Sequence, residues 1–162
     1  METIKEISPE KLYFIDECGI DECLHRTHGY SPKGEIVAGK ISGKKYKRTN
    51  IVAAKCGGKI VEPLAYQGAT DSKLFEFWFE EMLLKEVPQG SFLVMDNASF
   101  HRKKKLSELA KSAGCEVLFL PPYSPDLNPI EKFWAWLKLR LRSVLQYYGS
   151  FDAALTDCFQ TI

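Results

Sequence analysis

The sequence predicts an α/β domain: a mixed five-stranded sheet, made of an antiparallel meander extended by parallel strands, with helices on both faces. Three observations carry this. The first half holds short apolar, β-branched runs separated by Gly and Pro. The second half alternates short apolar runs with segments whose apolar residues recur at helical spacing. Strand-helix-strand units require parallel pairing through right-handed crossovers, whereas a Gly-Gly turn closes an antiparallel hairpin.

Residues 1–10 read as a short leader. Leu12 to Asp16 is the first buried strand, and 17–34 reads as irregular, punctuated by Gly19, Gly29, Pro32 and Gly34. The runs from Glu35 to Ile41 and from Thr49 to Cys56 read as strands. Gly57-Gly58 turns the chain into a return strand, Lys59 to Tyr66. Thr70-Asp71-Ser72 starts a helix bearing Leu74, Phe75, Trp78, Met82 and Leu83, which Pro88 and Gly90 end. Ser91 to Met95 is a strand and Phe100 to Ala113 a helix closed by Gly114. Cys115 to Leu120 is a strand, followed by a proline-rich loop. A long helix runs from Pro129 to about Gln146 with Ile130, Phe133, Trp134, Leu137, Leu141 and Val144 as its apolar stripe, and a short helix follows Ser150. In this order the first strand and the strand at Ser91–Met95 can lie side by side.

A chain of 162 residues with 45% hydrophobic and 27% charged residues fits one soluble domain with a real core. No window is apolar enough for a bilayer span, and the polar, acidic Met1–Glu6 is no secretory signal, so a cytoplasmic location is expected. Cys18, Cys23, Cys56, Cys115 and Cys158 are an odd, scattered set with neither disulfide-framework nor zinc spacing. They read as reduced thiols filling the core. The net charge of +1 lacks the basic excess of a protein that binds DNA unaided. Positive charge is local: Lys40, Lys44, Lys45, Lys47 and Arg48 in one stretch, Arg102 to Lys105 in another. Such runs read equally well as solvated faces or as phosphate contacts.

Three acids stand out. Asp16 ends the run Leu12-Tyr-Phe-Ile, Asp96 ends Phe92-Leu-Val-Met, and Glu131 sits just inside the helix opened by Asn128-Pro129-Ile130. A carboxylate at the end of a buried strand is costly unless positive charge sits beside it. Carboxylates from separate elements, converging on one point, suit a hard divalent cation and hence phosphodiester chemistry. Each acid also has a local reading. Glu131 follows Asn128 at capping-box spacing with Pro129 at the first helical position, and Asp96 can start a turn. Asp16 has no evident local use, and strand alternation turns its neighbour Glu17 to the opposite face. His101 reads first as a satisfied histidine, with a supporting place beside the metal site as the alternative. Trp134 belongs to the core stripe, while Trp136 faces another side. Lys138 shares a helix face with Glu131, at an offset of seven.

These pieces together resemble the catalytic domain of the IS630/Tc1/mariner transposases, a branch of the DDE superfamily. The resemblance rests on Tyr13-Phe-Ile-Asp-Glu17, on Val94-Met-Asp-Asn-Ala-Ser-Phe-His101, and on Leu120-Pro-Pro-Tyr-Ser-Pro-Asp-Leu-Asn-Pro-Ile-Glu-Lys-Phe-Trp134. The 34 residues between Asp96 and Glu131 are a spacing typical of this group, and His28-Gly-Tyr-Ser-Pro-Lys-Gly34 looks like its insert after the first strand. The resemblance implies an RNase H-like fold with Asp16, Asp96 and Glu131 as the catalytic acids, holding Mg²⁺ or Mn²⁺ as a pair of ions. It implies Asn97 and His101 as auxiliary groups, and cleavage of transposon ends by water followed by attack of the freed 3′ hydroxyl on target DNA. Lys44, Lys45, Lys47, Arg48, Arg102 and Lys138 become candidate DNA contacts. The whole chain, 1–162, reads as one catalytic domain lacking the family's N-terminal helix-turn-helix module. An upstream product carrying that module and a second copy of the chain are its candidate partners, with DNA and no membrane, at the nucleoid. The rival readings are a non-catalytic product that regulates an intact transposase, and another nuclease on the same fold.

Overall fold

A computed structural model describes residues 7–22, 33, 47–122 and 124–161. The stretches carrying Cys23, His28–Gly34 apart from Lys33, the strand expected at Glu35–Ile41, and Lys40, Lys44 and Lys45 lie outside the described residues.

Among the described residues five strands form one sheet in the order β3-β2-β1-β4-β5: β1 (Leu12–Asp21), β2 (Arg48–Cys56), β3 (Lys59–Gln67), β4 (Phe92–Met95) and β5 (Glu116–Phe119). The first three form the antiparallel meander, with Asp16 opposite Ala53, and β2 turning into β3 through Gly57, whose φ of 56° suits glycine. β4 lies parallel to β1 in the register Leu12↔Phe92 to Phe14↔Val94, and β5 continues parallel to β4. The first strand and the strand carrying Asp96 are therefore neighbours, as expected.

One boundary differs in a way that matters. β1 does not end at Asp16 but runs on to Asp21, because β2 pairs with it all the way to Arg48. Its parallel partner β4 stops at Met95. Asp16 thus sits mid-strand, beside the point where the neighbouring strand has ended, and the sheet is notched there.

Alternation along β1 feeds two separate cores. Tyr13 and Ile15 face a cluster built with Phe75, Trp78, Phe79, Leu83, Leu93, Met95, Leu106 and Ala110. Cys18 and Ile20 face the other side, among Ile130, Trp134, Leu137, Leu141, Phe151 and Leu155. The first face is covered by α1 (Ser72–Trp78), its continuation through a π turn at Phe79–Leu83 into the short α2 (Leu84–Glu86), and α3 (Lys103–Ser112). Asp71 opens α1 by accepting from Leu74 N at 2.8 Å. The second face is covered by α4 (Ile130–Val144) and α5 (Phe151–Gln160), the latter capped by Ser150. No helix among the described residues is long and apolar enough to cross a membrane.

Edge strand β3 carries Pro63 and a bulge opposite Val52–Ala54, where Glu62 takes a φ of 47°. Trp78 stabilises that kink by donating its indole N–H to the Glu62 carbonyl at 2.7 Å.

Candidate active site

The notch in the sheet opens into a cavity of about 440 Å³, lined by Asp16, Asp96, Asn97, Ala98, Leu120 to Pro122, Ser124, Asn128 and Glu131. The three acids singled out from sequence, drawn from β1, from the turn after β4 and from the first turn of α4, share its wall.

Asp16 is the most constrained of them. Its Oδ2 accepts the indole N–H of Trp134 at 3.0 Å. Burial, then the charge of Glu131, then that of Glu17 push its pKa up to about 7, against the hydrogen bonds from the Glu17 backbone and Trp134. Burial and two neighbouring acids raise this carboxyl at a cavity wall, and no cation among the described residues offsets them. Lys138, seven residues beyond Glu131, lies at Cys18, where its charge works against the burial that raises the thiol's pKa.

Asp96 is held differently. Its Oδ1 accepts from Ala98 N at 2.9 Å, closing an Asx turn, and lies 3.4 Å from His101 Nδ1. His101 is buried, its Nε2 lies 3.2 Å from Glu17 Oε1, and its ring packs on Phe75 at 4.3 Å between centroids. Burial opposes a charge on this imidazole, but the hydrogen bond and charge of Glu17, with Asp96 adding to them, hold its pKa above the ordinary value. Glu17 does point to the face opposite Asp16, and there it anchors the histidine that touches Asp96. This tethering delays the next helix: His101 N bonds back to Ala98 O at 3.0 Å, and α3 begins at Lys103 rather than at Phe100.

Glu131 sits one residue inside α4, which starts at Ile130 with Pro129 in the cap position, one residue later than the expected start. Asn128 does not cap through its side chain. It is buried, and its Nδ2 donates to Ile15 O at 3.2 Å, tying the start of α4 to β1 immediately before Asp16. Asn97 is tied in the same manner, donating to Leu120 O at 2.6 Å. The carbonyl oxygens of both amides are buried without a partner. Periodicity marks Trp134 as core, the capping box marks Asn128 as a helix cap, and alternation turns Glu17 away from Asp16; none of these signals places the three residues at the site.

The donor set is one of hard oxygens, carboxylates with amide carbonyls behind them, which fits Mg²⁺ or Mn²⁺ in kind. As the side chains stand, no three acidic, histidine or cysteine groups among the described residues are close enough to enclose an ion. The Asx turn instead engages the Asp96 carboxylate, while His101 Nδ1 hydrogen-bonds the Asp96 backbone carbonyl at 3.3 Å and lies 3.4 Å from Oδ1.

The basic residues disperse. Lys47 and Arg48 lie by the far end of β1, 3.7 Å from Glu22 and 3.9 Å from Asp21 respectively. The Arg48 guanidinium also lies over Gly19, where a Cβ would collide with it. Arg102 is committed to the buried Glu76 through both its Nε and Nη2, and Lys105 reaches the same carboxylate at 3.7 Å. Cys18, Cys56, Cys115 and Cys158 are free thiols.

A sequence profile described as DDE superfamily endonuclease matches residues 11–153. Among curated proteins, y4pE/y4sA of Sinorhizobium fredii, an uncharacterized protein, is 32% identical over 71 residues, 41% of this chain and 46% of that protein. Among solved structures, the Mos1 transposase paired-end complex with left transposon end superposes with a TM-score of 0.70 at 13% identity, over 98% of this chain and 55% of that one. The catalytic core domain of BIV integrase superposes with a TM-score of 0.54 at 15% identity, over 93% of this chain and 81% of that one. This chain thus spans about half the length of the Mos1 transposase. The structural likenesses establish the fold, an RNase H-like sheet with helices on both faces. The profile match, which takes in all three cavity acids, establishes that the chain belongs to the DDE superfamily endonuclease family.

Proposed function

We propose that the domain is the metal-dependent catalytic core of a DNA transposase, cutting transposon-end phosphodiesters and joining the 3′ hydroxyl to target DNA. The observation that carries this reading is the shared cavity of Asp16, Asp96 and Glu131 in a chain of this family. These three side chains are the proposed ligands of Mg²⁺ or Mn²⁺, as a pair of ions. When bound, the ions would activate the attacking hydroxyl and neutralise charge on the leaving oxygen. The chain's own contribution is positioning. Asn128 braces β1 just before Asp16, and Asn97 ties the turn after β4 that carries Asp96 to the residue after β5. His101, anchored by Glu17, orients Asp96 from the opposite face. Lys138, on the helix face of Glu131, with Lys47 and Arg48 farther out, would meet the phosphate backbone. Recognition of the terminal repeat is assigned to a helix-turn-helix module outside this core, in keeping with the net charge of +1.

The test is cleavage of a duplex carrying the element's terminal repeat, in Mn²⁺, with and without a helix-turn-helix protein supplied in trans. Asp96→Ala should abolish strand cleavage and leave the circular dichroism spectrum unchanged. Undiminished cleavage by that variant would remove the assignment of the acids. A wild-type chain that never cleaves, yet inhibits an intact relative, would favour the regulatory reading.

A further inference from the structure

We infer that Trp134 is a positioning residue for the metal site, its indole N–H setting the orientation of the Asp16 carboxylate; the inference rests on the metal-site reading above. Trp134 is 2% exposed, in the core stripe of α4, and packing alone would explain its burial. Its hydrogen bond is what packing does not explain. An indole N–H can only donate, and a buried one commonly finds a backbone carbonyl. Trp78 does so, at Glu62 O. Trp134 instead donates at 3.0 Å to Oδ2 of a cavity-lining carboxylate. That contact occupies one lone pair of Oδ2 and, with the hydrogen bond from the Glu17 backbone, fixes the rotation of the carboxylate plane.

The second tie lies one residue away. Asn128 Nδ2 holds Ile15 O, so consecutive residues of β1 are fastened to positions on either side of Glu131 in the sequence. Ile130, fully buried against the same face of the sheet, fills the space between. The segment Asn128-Pro-Ile-Glu-Lys-Phe-Trp134 is therefore a bracket, with Glu131 between two bonds to the strand that carries Asp16. Groups that orient metal-binding side chains are typically worth 10- to 100-fold in metal affinity.

The experiment is Mn²⁺ binding by the whole chain, read from the electron paramagnetic resonance of free Mn²⁺ and by calorimetry. Trp134→Phe removes the donor. Replacing Trp134 with benzothienylalanine removes the N–H while keeping the bicyclic ring, so that a variant with native packing is available. Both should bind Mn²⁺ about tenfold or more weakly, and Trp136→Phe, on the exposed side of α4, should bind as wild type. A loss of threefold or more in the benzothienylalanine protein supports the inference, and a smaller loss overturns it. The indole N–H resonance of Trp134 in metal-free protein gives an independent reading. It should move on Asp16→Asn, and its failure to move would remove the hydrogen bond on which the inference stands. Wild-type protein that binds no Mn²⁺, with that resonance responding to Asp16→Asn, would sink the metal site itself and leave the bond intact.

Discussion

Asp16→Asn should make the metal-free protein more stable at pH 8 while abolishing catalysis. The wild-type carboxyl titrates near 7 in the fold against an ordinary value of 3.8, raised by burial and by Glu131. Between roughly pH 4 and 7 the folded chain holds a proton that the unfolded chain has lost, so stability falls as pH rises through that window. Above about pH 7 the full penalty applies. Three pK units correspond to about 4 kcal/mol, which is a ceiling. A carboxamide keeps part of the burial cost but can still accept from Trp134, so about 2 kcal/mol of gain is expected. For a domain of this size that raises Tm by about 4–8 °C. The assay is thermal melting followed by circular dichroism, in EDTA, at pH 5 and pH 8. The gain should be largest at pH 8 and shrink to under about 1 kcal/mol at pH 5, where the wild-type carboxyl is protonated. Saturating Mn²⁺ should reverse the ranking, since about 100-fold excess over Kd stabilises the binding-competent wild type by about 2.7 kcal/mol. A variant that melts at or below wild type at pH 8 without metal would refute the strained-carboxylate reasoning.

The apparent Mn²⁺ affinity of wild type should climb as pH rises to about 7 and level off above it, as the proton on Asp16 ceases to compete; titrations at pH 6 and 8 check this. His101→Ala should lower cleavage about 10- to 100-fold, by analogy with lost support of metal-binding groups, and cost about 1–3 kcal/mol by stranding Glu17; rates and urea melts separate the two. Ile130→Ala should cost about 2–4 kcal/mol in urea denaturation, because the side chain is fully buried under the helix turn that carries Glu131. Glu76→Gln should cost no more than about 1–2 kcal/mol despite the burial of Glu76, since its partners Arg102 and Lys105 are half exposed.

Much of the architecture was legible because it follows from period and punctuation. The hairpin at Gly57-Gly58, the parallel neighbours β1 and β4, and the final helix after Ser150 all appear where those signals place them. Asp16 and Asp96 stand out in the sequence because each follows an apolar run, and the fold brings both to one cavity with Glu131. What was missed involves groups whose partners lie far along the chain. β1 reads as ending at Asp16 since Glu17 and Gly19 break the apolar run, yet pairing with β2 carries it to Asp21. Phe100 and His101 fit a helical start, but the ring of His101 is claimed by Glu17, 84 residues away. Asn128 fits a cap and instead reaches β1, 113 residues back. The stripe marks Trp134 as buried, but no periodicity tells where an indole N–H points.

Neighbouring acids on opposite faces make β1 a strand that tolerates no sliding. Losing one residue between Leu12 and Ile15 would rotate every later side chain to the other surface. Glu17, one methylene longer, would arrive under the indole, Asp16 would take the place of Ile15 in the core that holds Phe75, and Cys18 would face His101 where Glu17 had been. Substitutions here can be graded, but a single-codon deletion would dismantle both halves of the centre at once. Drift in this stretch should therefore proceed by exchange of residues and not by change of length.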